Sequence, residues 1–174
     1  MKKDPQKIES VIGNYQQFLS KLFLNLKNEN IDVSNFELDH IAYRSTSASS
    51  YEILLNSLTQ SFGDLIKEVY IRNRRIAIII LEKPITYKQY SIQYLELMEP
   101  TVGDTYKEGL EHAEFVVKSD LNNFKILYPE INFIFKDRKI NPELSIEFKN
   151  GANVKLHTKS IDEVIKIQEK NGEL

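Results

Sequence analysis

The chain has 174 residues, with 23 Lys+Arg against 25 Asp+Glu, and its formal net charge of -2 gives no electrostatic case for nucleic acid or an anionic membrane surface. It holds no cysteine, so disulfides and thiolate metal sites are excluded, and any metal must be held by imidazole and carboxylate. At 41% hydrophobic and 28% charged it has the make-up of an ordinary globular domain with a full core, and no apolar run approaches the roughly 20 residues that cross a bilayer. The start, Met1 to Pro5, leads into an amphipathic pattern rather than a signal-peptide core, and the expected location is cytoplasmic.

Asp4 and Pro5 suit the cap and first turn of a long helix. Ile8, Val11, Ile12, Tyr15, Phe18, Leu19, Leu22, Phe23 and Leu26 then recur at three and four, a stripe that packs against one flank of a sheet. Phe36 to Ser45 reads as a first strand. Thr46, Ser47 and Ser49 offer caps for a helix with Tyr51, Leu54, Leu55 and Leu58 inward, ending near Gly63. Ile66–Arg72 and Arg75–Leu81 read as strands around a short turn, with Pro84 ending the second and the arginines of the turn solvated. Ser91 to Met98 is a fourth strand, with Leu95 and Leu97 on one face and Tyr94, Glu96 and Met98 on the other.

The pattern then repeats. Leu110 to Lys118 is a strand, and Ser119 or Asp120 caps a short helix with Leu121, Phe124 and Leu127 inward, stopped by Pro129. Ile131 to Phe135 is the next strand. Leu144–Lys149 and Ala152–His157 form a hairpin around Asn150-Gly151. A three-residue loop with Gly151 in a bulge is expected there, because it sets Ile146 opposite Val154 and Leu144 opposite Leu156 and so matches apolar faces. Ser160 to Glu163 is a capping box that opens a last helix.

Both halves read β-α-β-β-β, and Asp39-His40-Ile41 recurs as Glu111-His112-Ala113, 72 residues later. All three histidines, His40, His112 and His157, fall on strands. Parity places Ile41, Tyr43, Leu95, Leu97, Ala113, Phe115, Val154 and Leu156 against helices, and places His40, Arg44, Glu96, His112, Glu114, Lys155 and His157 on the opposite face. Three imidazoles and one carboxylate, His40, Glu96, His112 and His157, form a first shell suited to zinc, nickel, iron(II), cobalt or manganese. Glu114 is placed as a general base, as a partner that fixes an imidazole tautomer, or as a plain salt-bridge partner of Arg44 or Lys155; Arg44 and Lys155 are placed as a clamp for a carboxylate or oxyanion, and Tyr106 as a further candidate or a packing aromatic.

At Asp39-His40-Ile41, Arg44, Tyr106, Glu108-Gly109, Glu111-His112, Glu114, Lys155, His157 and Ser160-Ile161 the chain resembles the vicinal oxygen chelate superfamily of glyoxalases, bleomycin-resistance proteins and extradiol dioxygenases, and within it the YecM-like proteins. The resemblance implies an α+β fold of paired βαβββ modules, at 35–100 and 108–174, forming a curved mixed sheet with an open cleft behind an N-terminal helical extension at 1–34. It further implies a metal-dependent enzyme of isomerase, lyase or oxygenase type acting on a small anionic oxygenated substrate. The alternative within the same fold is a non-catalytic protein that binds or sequesters a small molecule. On the last strand this chain offers His157 where glyoxalase-type and extradiol members carry a carboxylate. No nucleic-acid or membrane partner is expected, and the chain is expected to be a monomer or homodimer.

Overall fold

The computed structural model describes residues 8–172. In chain order its elements are α1 (Glu9–Ile12), α2 (Tyr15–Asn28), β1 (Glu37–Arg44), α3 (Ala48–Ser61), β2 (Gly63–Ile71), β3 (Arg74–Tyr87), β4 (Tyr90–Met98), β5 (Gly109–Val116), α4 (Leu121–Leu127), β6 (Ile134–Lys136), β7 (Glu143–Glu147), β8 (Asn153–His157) and α5 (Ile161–Lys170). The class is α+β, and the strands form a single eight-stranded sheet in the order β2-β3-β4-β1-β5-β8-β7-β6. Each β-α-β-β-β repeat therefore lays its strands down in the same internal order, 2-3-4-1 and 6-7-8-5. The chain divides into two compact units, one of residues up to 19 with His40–His112, the other of Ser20–Asp39 with Ala113–Leu174.

In the first unit β1 runs parallel to β4, in the register His40↔Tyr94, Ala42↔Glu96 and Arg44↔Met98. β3 is antiparallel to β4 and pairs Ile76 with Met98 and Ile78 with Glu96. Helix α3 begins at Ser47, whose hydroxyl accepts the Ser50 amide at 3.0 Å, as the run of Ser and Thr predicts. Tyr51, Leu54 and Leu58 are buried, and Leu55 is half-buried. The turn into β2 is tight. The Phe62 carbonyl accepts the Glu82 amide at 2.8 Å, and a Cβ at Gly63 would lie 2.0 Å from the Ile80 carbonyl oxygen.

Two expectations fail in this unit. The N-terminal helix is not continuous: α1 ends at Gly13, whose φ of 79° lies in the left-handed region that glycine adopts without a Cβ clash, and α2 starts again at Tyr15. The buried stripe survives the break at Ile8, Ile12, Tyr15, Leu19, Leu22 and Leu26, because the interruption restarts the helix on the same apolar face. The expected Asp4–Pro5 cap lies outside the described residues. Pro84 does not end β3, which runs on to Tyr87; the pairing with β4 is irregular between Ile80 and Ile85, and Pro84 sits in that irregularity, where no ladder amide is required of it.

In the second unit β7 and β8 pair Leu144 with Leu156 and Ile146 with Val154, the register expected for the bulged loop. The Phe148 amide donates to Ala152 at 2.9 Å, and Gly151 has a φ of 82°. The strand expected at Ile131–Phe135 is instead Ile134–Lys136. Ile131 and Phe133 make local turn hydrogen bonds, and the Phe133 ring packs edge-on to Phe124 at 5.9 Å, so this segment turns in toward α4 before it extends. Phe23 of α2 meets Phe115 of β5 edge-to-face at 5.9 Å, and fully burying a side chain such as Phe115 contributes about 1.5–3 kcal/mol. Helix α5 has the expected capping box at Ser160 and Glu163. Its first amide, Ile161 N, also donates to both carboxylate oxygens of Asp39, at 3.0 and 3.2 Å, so the acid preceding His40 ties β1 to a helix N-terminus.

Gly63→Ala is expected to lower stability by about 1–3 kcal/mol, since the methyl group meets fixed backbone rather than a side chain that can move. Gly151→Ala, in open space but at positive φ, is expected to cost about 1 kcal/mol. Urea unfolding midpoints of the two variants and the parent check the order: a larger loss at Gly151 than at Gly63 contradicts it.

Candidate metal centre

Strand parity sets which side chains share a face. On β1, His40, Ala42 and Arg44 alternate with Ile41 and Tyr43, and the parallel register sets Glu96 of β4 beside Ala42. β5, next to β1 in the sheet, contributes His112. His112 stands between two carboxylates: its Nδ1 is 3.2 Å from Glu111 Oε1 and its Nε2 is 3.6 Å from Glu96 Oε1. Both ring nitrogens of His112 therefore face carboxylates, which fix the orientation of the ring.

Glu111 is in turn gripped by Arg44. The guanidinium donates from Nε to Oε2 at 2.7 Å and from Nη2 to Oε1 at 2.8 Å, and its Nη1 donates to the Glu99 carbonyl at 3.1 Å. Its central carbon lies 4.7 Å from the Tyr106 ring centroid, and the Tyr106 hydroxyl bonds with Thr101 and Asp104. Burial pushes the Glu111 carboxyl up, but hydrogen bonds from His112 and Arg44 and the Arg44 charge overcome this and hold it well below the usual carboxylate range. Arg44 and Tyr106 are thus built into a chain, Tyr106–Arg44–Glu111–His112, that fixes the His112 ring.

In the second unit Glu114, two residues along β5 from His112, accepts from Lys155 Nζ at 2.6 Å and lies 2.8 Å from His157 Nε2. His157 Nδ1 is 2.9 Å from the Pro142 carbonyl. Both ring nitrogens of His157 therefore face oxygen atoms of the protein. Nearby, the buried Glu143 accepts from Lys136 at 2.6 Å and Arg138 at 2.9 Å.

Of the eight residues that the sequence nominates, His40, His112 and Glu114 come together most closely. One ligand atom from each lies within 4.8 Å of the other two, and all three side chains are buried. Two imidazoles and a carboxylate suit a divalent transition metal. Glu96 approaches His112, whereas His157 is directed at Glu114 and Lys155 is paired with it. Glu111 is a residue that strand parity passes over, because it sits one position from His112 and nominally on the other face. Its place before an in-strand histidine, repeated at Asp39-His40, is the sequence signal for it.

Comparison with known proteins bears on the fold. The profile of the YecM protein family matches residues 7–139. A Haemophilus influenzae protein of uncharacterised role is 26% identical over 164 residues, covering 80% of this chain and 84% of that one. Among solved structures, a structural-genomics protein, Protein EC4020, superposes with a TM-score of 0.74 at 23% identity over 87% of each chain. A Streptomyces coelicolor methylmalonyl-CoA epimerase in complex with 2-nitronate-propionyl-CoA gives 0.53 at 16% identity, over 70% of this chain and 95% of the epimerase. The Mycobacterium tuberculosis methylmalonyl-CoA epimerase gives 0.53 at 13% identity, over 79% and 99%. At these identities the likeness is one of fold.

The Glu143 cluster makes a pH prediction. Burial raises the Glu143 pKa, but the Lys155 charge and the Lys136 hydrogen bond outweigh it, so the folded value lies below the ordinary 4.5. The unfolded state then binds the proton more readily, and the stabilisation is fully present above about pH 5 and lost as pH falls through the depressed value. Glu143→Gln is expected to be less stable than the parent at pH 7, with the difference shrinking as the pH falls below about 5. Urea midpoints across that range check it, and a difference independent of pH contradicts it.

Proposed function

Since the chain belongs to the YecM family, we propose that it is a metal-dependent enzyme of the vicinal oxygen chelate type, acting on a small anionic oxygenated substrate by isomerase, lyase or oxygenase chemistry. The observation that carries this reading is the buried His40, His112 and Glu114 cluster, with an Arg44–Glu111 pair that orients one of its imidazoles.

The residues that would hold the ion are His40, His112 and Glu114, with Glu96 beside His112 as the fourth donor. His157 is assigned the role of orienting Glu114 rather than that of a ligand. The metal, of the zinc, nickel, iron(II), cobalt or manganese class, would act as a Lewis acid on substrate oxygens. Lys155 and His157 keep the Glu114 carboxylate in one orientation, and the Tyr106–Arg44–Glu111 chain prevents the His112 ring from flipping. Burial of the cluster removes bulk water, which strengthens every electrostatic interaction within it. The S. coelicolor epimerase, whose structure holds 2-nitronate-propionyl-CoA, supports an oxygenated acyl compound as the kind of ligand this fold receives.

Elemental analysis of protein purified without a histidine tag and reconstituted is expected to give about one divalent metal per chain. His112→Ala and Glu114→Ala are expected to abolish it, and Glu96→Ala to weaken it. His157→Gln and Glu111→Gln are expected to retain the metal with affinity lower by about 10–100-fold. Equal metal in all of these proteins sinks the site, and complete loss in His157→Gln returns His157 to the ligand set. Metal without turnover of any 2-oxo or 2-hydroxy acid favours the sequestering role.

A further inference from the structure

Arg74 is a cation on the face of the candidate metal site that no carboxylate pairs with at close range among the described residues. It opens β3, and the antiparallel register of Ile76 with Met98 and Ile78 with Glu96 puts Arg74, at the same parity, on the face that carries Glu96. That face of the first unit also carries His40 and Arg44. The sequence alone makes Arg74 a solvated turn residue beside Arg72 and Arg75. In the structure it is half-buried, and its Nε is buried with no hydrogen-bond partner among the described residues. Its one side-chain hydrogen bond is a long contact of 3.4 Å from Nη1 to the Thr101 hydroxyl.

The neighbouring arginines differ in kind. Arg44 is saturated by Glu111, the Glu99 carbonyl and the Tyr106 ring. Arg75 is held by Glu99 and Glu52. Arg74 has no carboxylate at ion-pair distance among the described residues. Burial and the nearby Arg44 charge disfavour its charged form, while Glu96, Tyr106 and Glu111 favour it from farther away. A guanidinium keeps its charge even so, and a half-buried fork of five donors with one weak acceptor is a receptor for a planar anion. Loading the cluster with a divalent cation sharpens this, because Glu96 would then offset the metal and no longer Arg74.

We propose that Arg74 is a specificity residue that receives a carboxylate of the substrate, one lying beyond the two oxygens that chelate the metal. This rests on the metal-dependent reading above and adds to it a substrate class: a small acid with a chelating hydroxyl or carbonyl at one end and a second carboxylate at the other. Arg44 and Lys155, committed to Glu111 and Glu114, position protein groups instead.

The test compares malate with malamate, in which the distal carboxylate is an amide, by calorimetric titration of the parent, Arg74→Gln and Arg74→Lys. Each protein is titrated both metal-free and zinc-loaded, with circular dichroism to confirm the fold. The parent is expected to prefer malate by about 10–100-fold, the worth of a charge-assisted hydrogen-bonded pair. Arg74→Gln is expected to bind both alike, Arg74→Lys to fall between, and zinc content to be unchanged in both variants. A parent with no preference, or an Arg74→Gln protein that keeps it, overturns the proposal. Failure of the parent to take up zinc overturns the metal reading alone, since the metal-free titrations still decide whether Arg74 selects the distal carboxylate.

Discussion

Charge buried in the middle of a sheet must be compensated where it stands, and this requirement organises the molecule. On β1 every residue from Leu38 to Arg44 is buried, so the strand has no solvated face. On an ordinary antiparallel sheet the polar alternate positions would meet water. Here they are His40 and Arg44, together with His112 and Glu114 on β5, while Asp39 is buried on the other face, and leaving any ionised member of that set alone would cost several kcal/mol. The protein answers with close pairs. Arg44 takes Glu111 in a two-pronged contact, Lys155 takes Glu114, Lys136 and Arg138 share Glu143, and Asp39 takes the first amide of α5.

The same pairs hold the side chains of the candidate site in place. A carboxylate at Nδ1 orients the His112 ring. The acid is itself immobilised by Arg44, and Arg44 by the Tyr106 ring, so the order that reaches the ring begins at residues that touch no ligand. His157 likewise has oxygen atoms at both nitrogens, Glu114 at one and the Pro142 carbonyl at the other.

Fold likeness has a defined reach here. The match with methylmalonyl-CoA epimerases is at 13–16% identity, which establishes how the strands are laid down and leaves the reaction to be argued from side chains. Family membership rests on a different footing, a profile that spans residues 7–139. It ends before β7, so Glu143, Lys155 and His157 lie outside it, and what those residues do has to be read from their own contacts.

Much of this was legible in the chain. The period of two on each strand set the two faces, the repeated acid-histidine pair disclosed the duplication, and Asn150-Gly151 with matched apolar partners determined the β7–β8 register, all of which depend on backbone geometry common to every strand. Local breaks were less legible. Gly13 and Pro84 are ambiguous in sequence, since a glycine may interrupt a helix or be tolerated in it, and a proline ends a strand only where its missing amide is needed. What only the tertiary structure decided was the partner of each long side chain. Parity assigns a face but not a reach, and three or four side-chain torsions let Arg44 choose Glu111, Lys155 choose Glu114 and Glu111 fold toward His112, while Arg74 is left, among the described residues, with the Thr101 hydroxyl. Those choices depend on which opposite charge lies within a few ångströms once distant strands are adjacent, a distance that no local pattern in the chain encodes.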